Sequence, residues 1–284
     1  MRALARFIMR GPIQAAGVAV VAASLPLMSW VSAAAVSLVL LRVGLTQGLS
    51  AGLWALLPAL GWLWLGDGPS TLVVIIDAMI MATVLRLSVS WEKTLLVGVV
   101  LGMISGLVIP ALMPGLMTSL VEAGARFYQH LEPEVAKQLG DQLQPTVRSM
   151  LAASMGASYL VIAIASLALA RIWQAQLYNP GGFRSEFHGF RLKGPVAVGI
   201  LVAMFALPAL GMNSVLVVMV LSIPLLLAGI ALVHGLVSRK KLGVQWLVLF
   251  YVALVLLGPS LLLLLVVLAV IDSWLDIRSR VKPA

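Results

Sequence analysis

The feature that most constrains this chain is the length of its apolar runs. From Leu242 to Ile271 no position carries a charged side chain, and comparable runs recur along the sequence. Such runs call for a hydrocarbon solvent, where every backbone polar group must be paired within the protein, leaving only α-helices or closed β-barrels. Barrel strands alternate in polarity over about ten residues, and no run here alternates. The composition agrees, with 62% hydrophobic and only 10% charged residues. Soluble domains carry about 25% charged residues, so this chain has too few to coat a water-facing surface. The fold class expected is all-α, a polytopic transmembrane helical bundle.

Charged, proline and glycine clusters divide the chain into ten apolar segments: 13–29, 30–41, 47–64, 70–85, 94–116, 149–170, 195–210, 214–237, 243–257 and 260–272. A helix needs about 20 residues to cross about 30 Å of hydrocarbon. Segments 30–41, 243–257 and 260–272 fall short, so length alone would fuse them with their neighbours and give eight segments instead of ten. Charge favours ten. With the N-terminus inside, 16 of the 19 basic residues lie on the inner side, among them Arg2, Arg6, Arg10, Arg42, Arg86, Arg171 and the run Arg239-Lys240-Lys241. Asp67, Glu122, Glu132, Glu134 and Asp141 then lie outside. Eight spans would place both basic termini outside, against the positive-inside rule. Tryptophans fit the same layout, with Trp30, Trp62 and Trp64 at outer ends and Trp91, Trp173, Trp246 and Trp274 at inner ends, where amphipathic rings settle. The reading is a bacterial inner-membrane protein with both termini cytoplasmic. Its first segment is an uncleaved span, because many more spans follow the cleavage-like stretch Ser32 to Ala35.

Three regions follow: a membrane core at 1–171, a cytoplasmic loop at 172–193, and additional membrane helices at 194–284. The core includes a long outer segment, 118–148. There Leu120, Phe127, Leu131, Val135, Leu139, Leu143 and Val147 recur mostly at four-residue steps, predicting one apolar helix face. That face suits an interfacial helix or a lid over an outward cavity. Glu132-Pro133-Glu134 predicts a helix restart, since proline fits a first turn.

The net charge of +9 could suggest nucleic acid. The basic residues lie in short clusters between apolar runs, which is how membrane proteins orient themselves, so no nucleic-acid partner is expected. With no cysteine, disulfides, thiolate metal sites and a cysteine nucleophile are excluded. His130, His188 and His234 lack the i, i+4 spacing of a helical zinc site. There is no GxSxG, no phosphate-binding loop motif, and no pair of carboxylates on one intramembrane helix face. No enzyme activity, catalytic residue, metal or cofactor is expected.

Asp77 is the charged residue deep inside a predicted span. A carboxylate there costs about 2.5–3.5 kcal/mol on insertion scales, so it faces a partner or a cavity. Arg42 and Arg86, at span ends, are the candidate partners in a ligand site. Gly98, Gly102 and Gly106 form a small-residue stripe, which lets helices approach closely in lipid. Ala15, Ala19 and Ala23 form another.

In the loop, Asn179-Pro180-Gly181-Gly182 predicts a tight turn. Beyond it, Phe183, Phe187 and Phe190 fall on one helix face, interleaved with Arg184, Glu186 and Arg191. Asn179, Pro180, Gly181, Gly182, Phe183, Arg184, Glu186 and Phe187 are the candidate partner-binding residues, with the inner membrane surface as the other use for the segment.

This NPGGF-x-x-EF stretch, with Leu41-Arg42-Val43-Gly44, resembles the YybS-like family, a domain-of-unknown-function family of polytopic bacterial membrane proteins. That family is grouped with energy-coupling-factor substrate-binding (S) components and the cell-shape protein MreD in the Gx-transporter superfamily. The resemblance implies a six-helix S-component-like core to about Arg171, with 172–284 as an addition. It also implies that the Ala15, Ala19, Ala23 stripe is similar to the alanine motif by which S components contact a coupling subunit. The expected function is a non-enzymatic, small-molecule- or lipid-binding membrane subunit of transporter type. The alternative is an MreD-like scaffold recruiting envelope or cytoplasmic machinery through the 174–193 loop. The bilayer is the expected partner in either case, with other membrane proteins beside it.

Overall fold

A computed structural model describes residues 2–66 and 68–282; Asp67, assigned above to the outer side, lies outside the described residues. All regular structure among the described residues is helical. The helices are α1 (Arg2–Ile8), α2 (Pro12–Ser24), α3 (Ser29–Arg42), α4 (Leu45–Trp64), α5 (Ser70–Ser88), α6 (Trp91–Leu112), α7 (Pro114–Leu131) and α8 (Pro133–Leu139). They continue with α9 (Leu143–Tyr178), α10 (Gly182–Gly189), α11 (Gly194–Ala209), α12 (Ser214–Arg239), α13 (Val244–Leu257), α14 (Pro259–Leu275) and α15 (Ile277–Arg280).

Each of the ten apolar segments coincides with a helix, but their lengths differ. Four stretches are long and apolar enough to cross a membrane: Ser70–Ser88, Trp91–Leu112, Pro133–Tyr178 and Ser214–Arg239. A fifth counts if α10 and α11, bent by 63°, act as one span. Helices α2, α3, α13 and α14 are apolar but shorter. The chain is thus compatible with a multi-pass membrane protein, built from full-length spans with short apolar helices packed among them. The 13–41 stretch is two helices, broken at Leu25 to Met28, where Leu27 takes φ 61°. The 243–272 stretch is also two, broken at Gly258 with φ 48°.

Helix α3 is the axis of the bundle. Every residue from Ser32 to Leu41 is buried, which is possible because Ser32, Ala33, Ala34, Ala35 and Ser37 are small enough to let neighbours close in. Helices α2, α4, α5 and α9 surround it. Ser32 Oγ donates to Ala19 O at 2.8 Å, and Ser37 Oγ to Ala78 O at 3.4 Å. At its C-terminus, Arg86 Nη1 donates to Leu40 O at 3.0 Å and Leu41 O at 2.8 Å, meeting carbonyls that a helix end leaves orphaned.

The glycine stripe of α6 seats this helix against α9 and α12. A Cβ on Gly102 would lie 3.1 Å from Gly156 O and from Val220 Cγ1. One on Gly106 would lie 3.0 Å from Ala152 O. These glycines therefore serve packing within the chain. Because Gly102 and Gly106 meet Val220 and Leu216, near the start of α12, α6 and α12 run antiparallel. The bundle therefore has two ends about 30 Å apart, from the 1.5 Å rise of the 22-residue α6. Trp91, Arg171 and Arg239 lie at one end; Trp64, Pro69 and Met113 lie at the other.

The 118–148 segment folds back as α7, α8 and the first turns of α9. The helix does restart at Pro133. Ala125, Ala136, Leu143 and Val147 form a small core of their own. The expected apolar face is only partly used, because Phe127, Leu131 and Val135 are exposed. Breaks at Glu132 and Gly140 rotate successive pieces, so one four-residue period cannot run through all of them.

Replacing Gly102 with alanine should destabilise the protein by about 1–3 kcal/mol, the usual cost of overpacking. Gly199→Ala, on α11 with nothing near the new methyl, should be neutral or stabilising. Thermal unfolding in one detergent measures both.

Candidate functional site

At the Trp64 end, α4, α5 and α6 enclose a groove of about 550 Å³. Its wall is apolar, from Leu63, Leu72, Ile76, Ile104, Ile109 and neighbours, except for Asp77 and Ser105. Asp77 is 5% exposed, and its Oδ2 has no hydrogen-bond partner among the described residues. A buried carboxyl oxygen without a partner is costly, and this one presents an open acceptor to the groove. An apolar cleft of this size with few convergent polar groups is the usual form of a small-molecule site.

The expected partners of Asp77 are elsewhere. Arg86 lies nine residues further along α5, about 13 Å along the axis, and is engaged by the α3 carbonyls. Arg42 stacks over the Tyr178 ring at 4.1 Å. Both act at the basic end, so Asp77 is not half of an ion pair with either. Ser105 was missed in the sequence because serines are frequent in these spans. Its position beside Gly106, on a stripe that must face other helices, was the available signal.

The Ala15, Ala19 and Ala23 stripe is buried. Ser32 Oγ reaches Ala19 O, and Trp62 Nε1 donates to Ala23 O at 2.9 Å. The chain's own α3 and α4 thus cover the face that the resemblance would offer to a coupling subunit.

At the basic end the NPGGF turn forms as expected, with Gly181 at φ 87° and Gly182 N donating to Asn179 O at 2.9 Å. A Cβ on Gly182 would meet only the exposed Asn179 side chain, 2.9 Å from its Cγ, so the turn depends on Gly181, whose φ lies in the left-handed region. Helix α10 then packs back on the bundle. Phe183 meets Trp91 edge-on at 6.3 Å and stacks on Phe187 at 6.0 Å, while Phe187 meets His234 at 5.4 Å. Phe183, Phe187 and Phe190 share one face, as their spacing predicts, and line a cavity of about 70 Å³ with Trp91 and Leu227. Glu186 pairs bidentately with Arg171, whose Nε stands 3.0 Å from Oε2, and accepts from Trp91 Nε1 at 3.4 Å. Of the candidate partner-binding residues, Phe183, Glu186 and Phe187 are therefore used internally, Gly182 sits inside the turn, and Asn179, Pro180, Gly181 and Arg184 remain exposed.

Two buried charges escaped the sequence reading. Asp272 is 2% exposed and Arg278 9% exposed; they meet where the chain bends after α14. No group of three or more His, Asp or Glu among the described residues is placed to hold a metal ion.

No family model, no curated protein and no solved structure matches this chain.

Arg171→Met and Glu186→Gln should each cost about 1–3 kcal/mol, as for hydrogen bonds to charged groups. The double variant should cost clearly less than their sum. A double-mutant cycle on thermal stability reads this coupling, and strict additivity would mean that the pair does not hold α10 in place.

Proposed function

We propose that this chain is a non-enzymatic integral membrane subunit of transporter type. It takes an apolar small molecule or lipid bearing a cationic or hydrogen-bond-donating group into the groove at Asp77. The observation carrying this reading is the buried Asp77 carboxyl with an unpartnered oxygen, facing with Ser105 into an otherwise apolar groove. The distribution of basic residues supports a bacterial inner-membrane placement with the Arg171 end and both termini cytoplasmic, so that the groove draws from the outer side. The resemblance to the YybS-like family and to S components supports the transporter class.

The scaffold reading has one observation in its favour, the exposed Asn179, Pro180 and Arg184 at the basic end. It is the weaker reading because Phe183, Glu186 and Phe187, which would shape a docking surface, are turned into the bundle. Co-purification in mild detergent separates the two. An ABC-type ATPase partner supports transport, whereas envelope or cytoplasmic assembly proteins support a scaffold.

The groove is tested by comparing molecules that co-purify with the wild type, Asp77→Asn and Asp77→Leu, using mass spectrometry. A species bound to the wild type should fall at least tenfold in Asp77→Leu, with the melting temperature unchanged or raised because a buried polar group has been removed. Undiminished binding in Asp77→Leu would reduce Asp77 to a packing residue.

A further inference from the structure

At the basic end, remote from Asp77, the C-terminal parts of α10 and α12 and the short α15 enclose a second cavity, of about 550 Å³. Three arginines line it: Arg191, Arg239 and Arg278, with His188 and Ser238 beside them and Asp276 as the acid in the wall. Two of the arginines are exposed enough to reach water as well as a protein partner. Arg191 pairs with Asp276 at 3.5 Å, and Arg239 Nε donates to Val281 O at 2.6 Å.

Arg278 differs. It is 9% exposed, yet neither Nε nor Nη2 has a hydrogen-bond acceptor. The nearest carboxylate oxygen, Asp272 Oδ2, stands 3.4 Å from Nη2 without forming a hydrogen bond, while Asp272 Oδ1 already accepts from Ile277 N at 2.8 Å. A guanidinium offers five donors in a rigid planar fork, and burying it with those donors unmet is costly. Gly235 makes room for this placement, because a Cβ there would lie 2.8 Å from His188 O and 3.3 Å from Arg278 Nε.

Two features oppose an anion, namely the carbonyl ends of α10 and α12 and the carboxylates of Asp272 and Asp276. Three arginines in or beside the cavity outnumber those two acids, and Lys240, Lys241 and Arg280 follow directly in the chain. Burial first, and then the charges of Arg184, His234 and Arg278, hold the His188 imidazole below its ordinary pKa. Arginine forks match phosphate oxygens in geometry and charge, and basic pockets between membrane helices hold anionic headgroups.

We propose that this cavity binds an anionic phosphate group through Arg278, carried by a phospholipid headgroup at the membrane surface or by a soluble phosphate ester. The site is independent of Asp77 and stands or falls apart from the groove.

The test uses the full chain, delipidated in a neutral detergent and titrated with short-chain phosphatidylglycerol, phosphatidylcholine of equal chain length, and inorganic phosphate. Native mass spectrometry and the melting temperature read binding. Phosphatidylglycerol or inorganic phosphate should bind one-to-one, the former at least tenfold more tightly than phosphatidylcholine. Binding should weaken at least tenfold in Arg278→Met. It should weaken equally in Asp272→Asn/Arg278→Met, where no unpaired buried carboxylate is left behind and an unchanged melting temperature without ligand reports an intact fold. Arg148→Gln, outside the cavity, should bind as the wild type does. Displacement of phosphatidylglycerol by inorganic phosphate assigns the site to soluble phosphate esters; failure to displace it assigns the site to headgroups. If neither probe binds, or the double variant binds as tightly as the wild type, the proposal is overturned.

Discussion

A helix with no side facing lipid must have all its polar groups met by the rest of the protein, and α3 is such a helix. Its ten buried residues, Ser32 to Leu41, are packed on every side by protein, so the carbonyls of Leu40 and Leu41 at its C-terminus look to neighbouring helices for donors. Arg86 reaches across from α5 to bond both of them. That contact fixes α5 against α3, and Ser37 bonded to Ala78 O fixes it again further along. Since Asp77 adjoins Ala78 on α5, the same contacts fix the height of Asp77 in the bundle. The groove is therefore positioned by the arginine that the sequence had suggested as its ligand partner.

The two ends of the bundle are built by different chemistry. At the Trp64 end, α4, α5 and α6 leave a cleft lined by branched apolar side chains, with one carboxyl and one hydroxyl. At the other end, charged groups join elements directly: Arg171 to Glu186, and Glu92 to Lys193 N at 2.8 Å. Between them, the glycines of α6 bring its backbone against the backbone of α9 and the side chains of Leu216 and Val220 on α12, where lipid gives no hydrophobic drive to association. A rigid middle with dissimilar ends suits a protein that meets different solvents on its two faces.

Much of this was legible in the sequence where a local rule applied. Apolar runs between charged clusters gave ten segments that match ten helices, and Asn179-Pro180-Gly181-Gly182 gave the turn. Asp77 stood out because an acid in an apolar run is expensive. What was not legible depends on how elements meet. The aromatic face of α10 followed from spacing, but nothing local says whether it faces outward or, as here, onto Trp91. Ser32 to Ala35 read as a cleavage-like stretch, whereas their smallness serves the closeness of α2, α4 and α5. The Arg278 cavity depends on a bend at Asp276, in the left-handed region at φ 45°, a conformation that no residue pattern there announces.

The central claim is that the bundle crosses a membrane with the groove and the basic end on opposite faces. Because the chain contains no cysteine, single cysteines report sidedness without background. Gln138 lies on the groove side and Ser185 on the basic side, and both are exposed. A membrane-impermeant maleimide applied to intact cells should label Gln138→Cys at once and Ser185→Cys only after permeabilisation. Labelling of both positions from the same side would contradict the account.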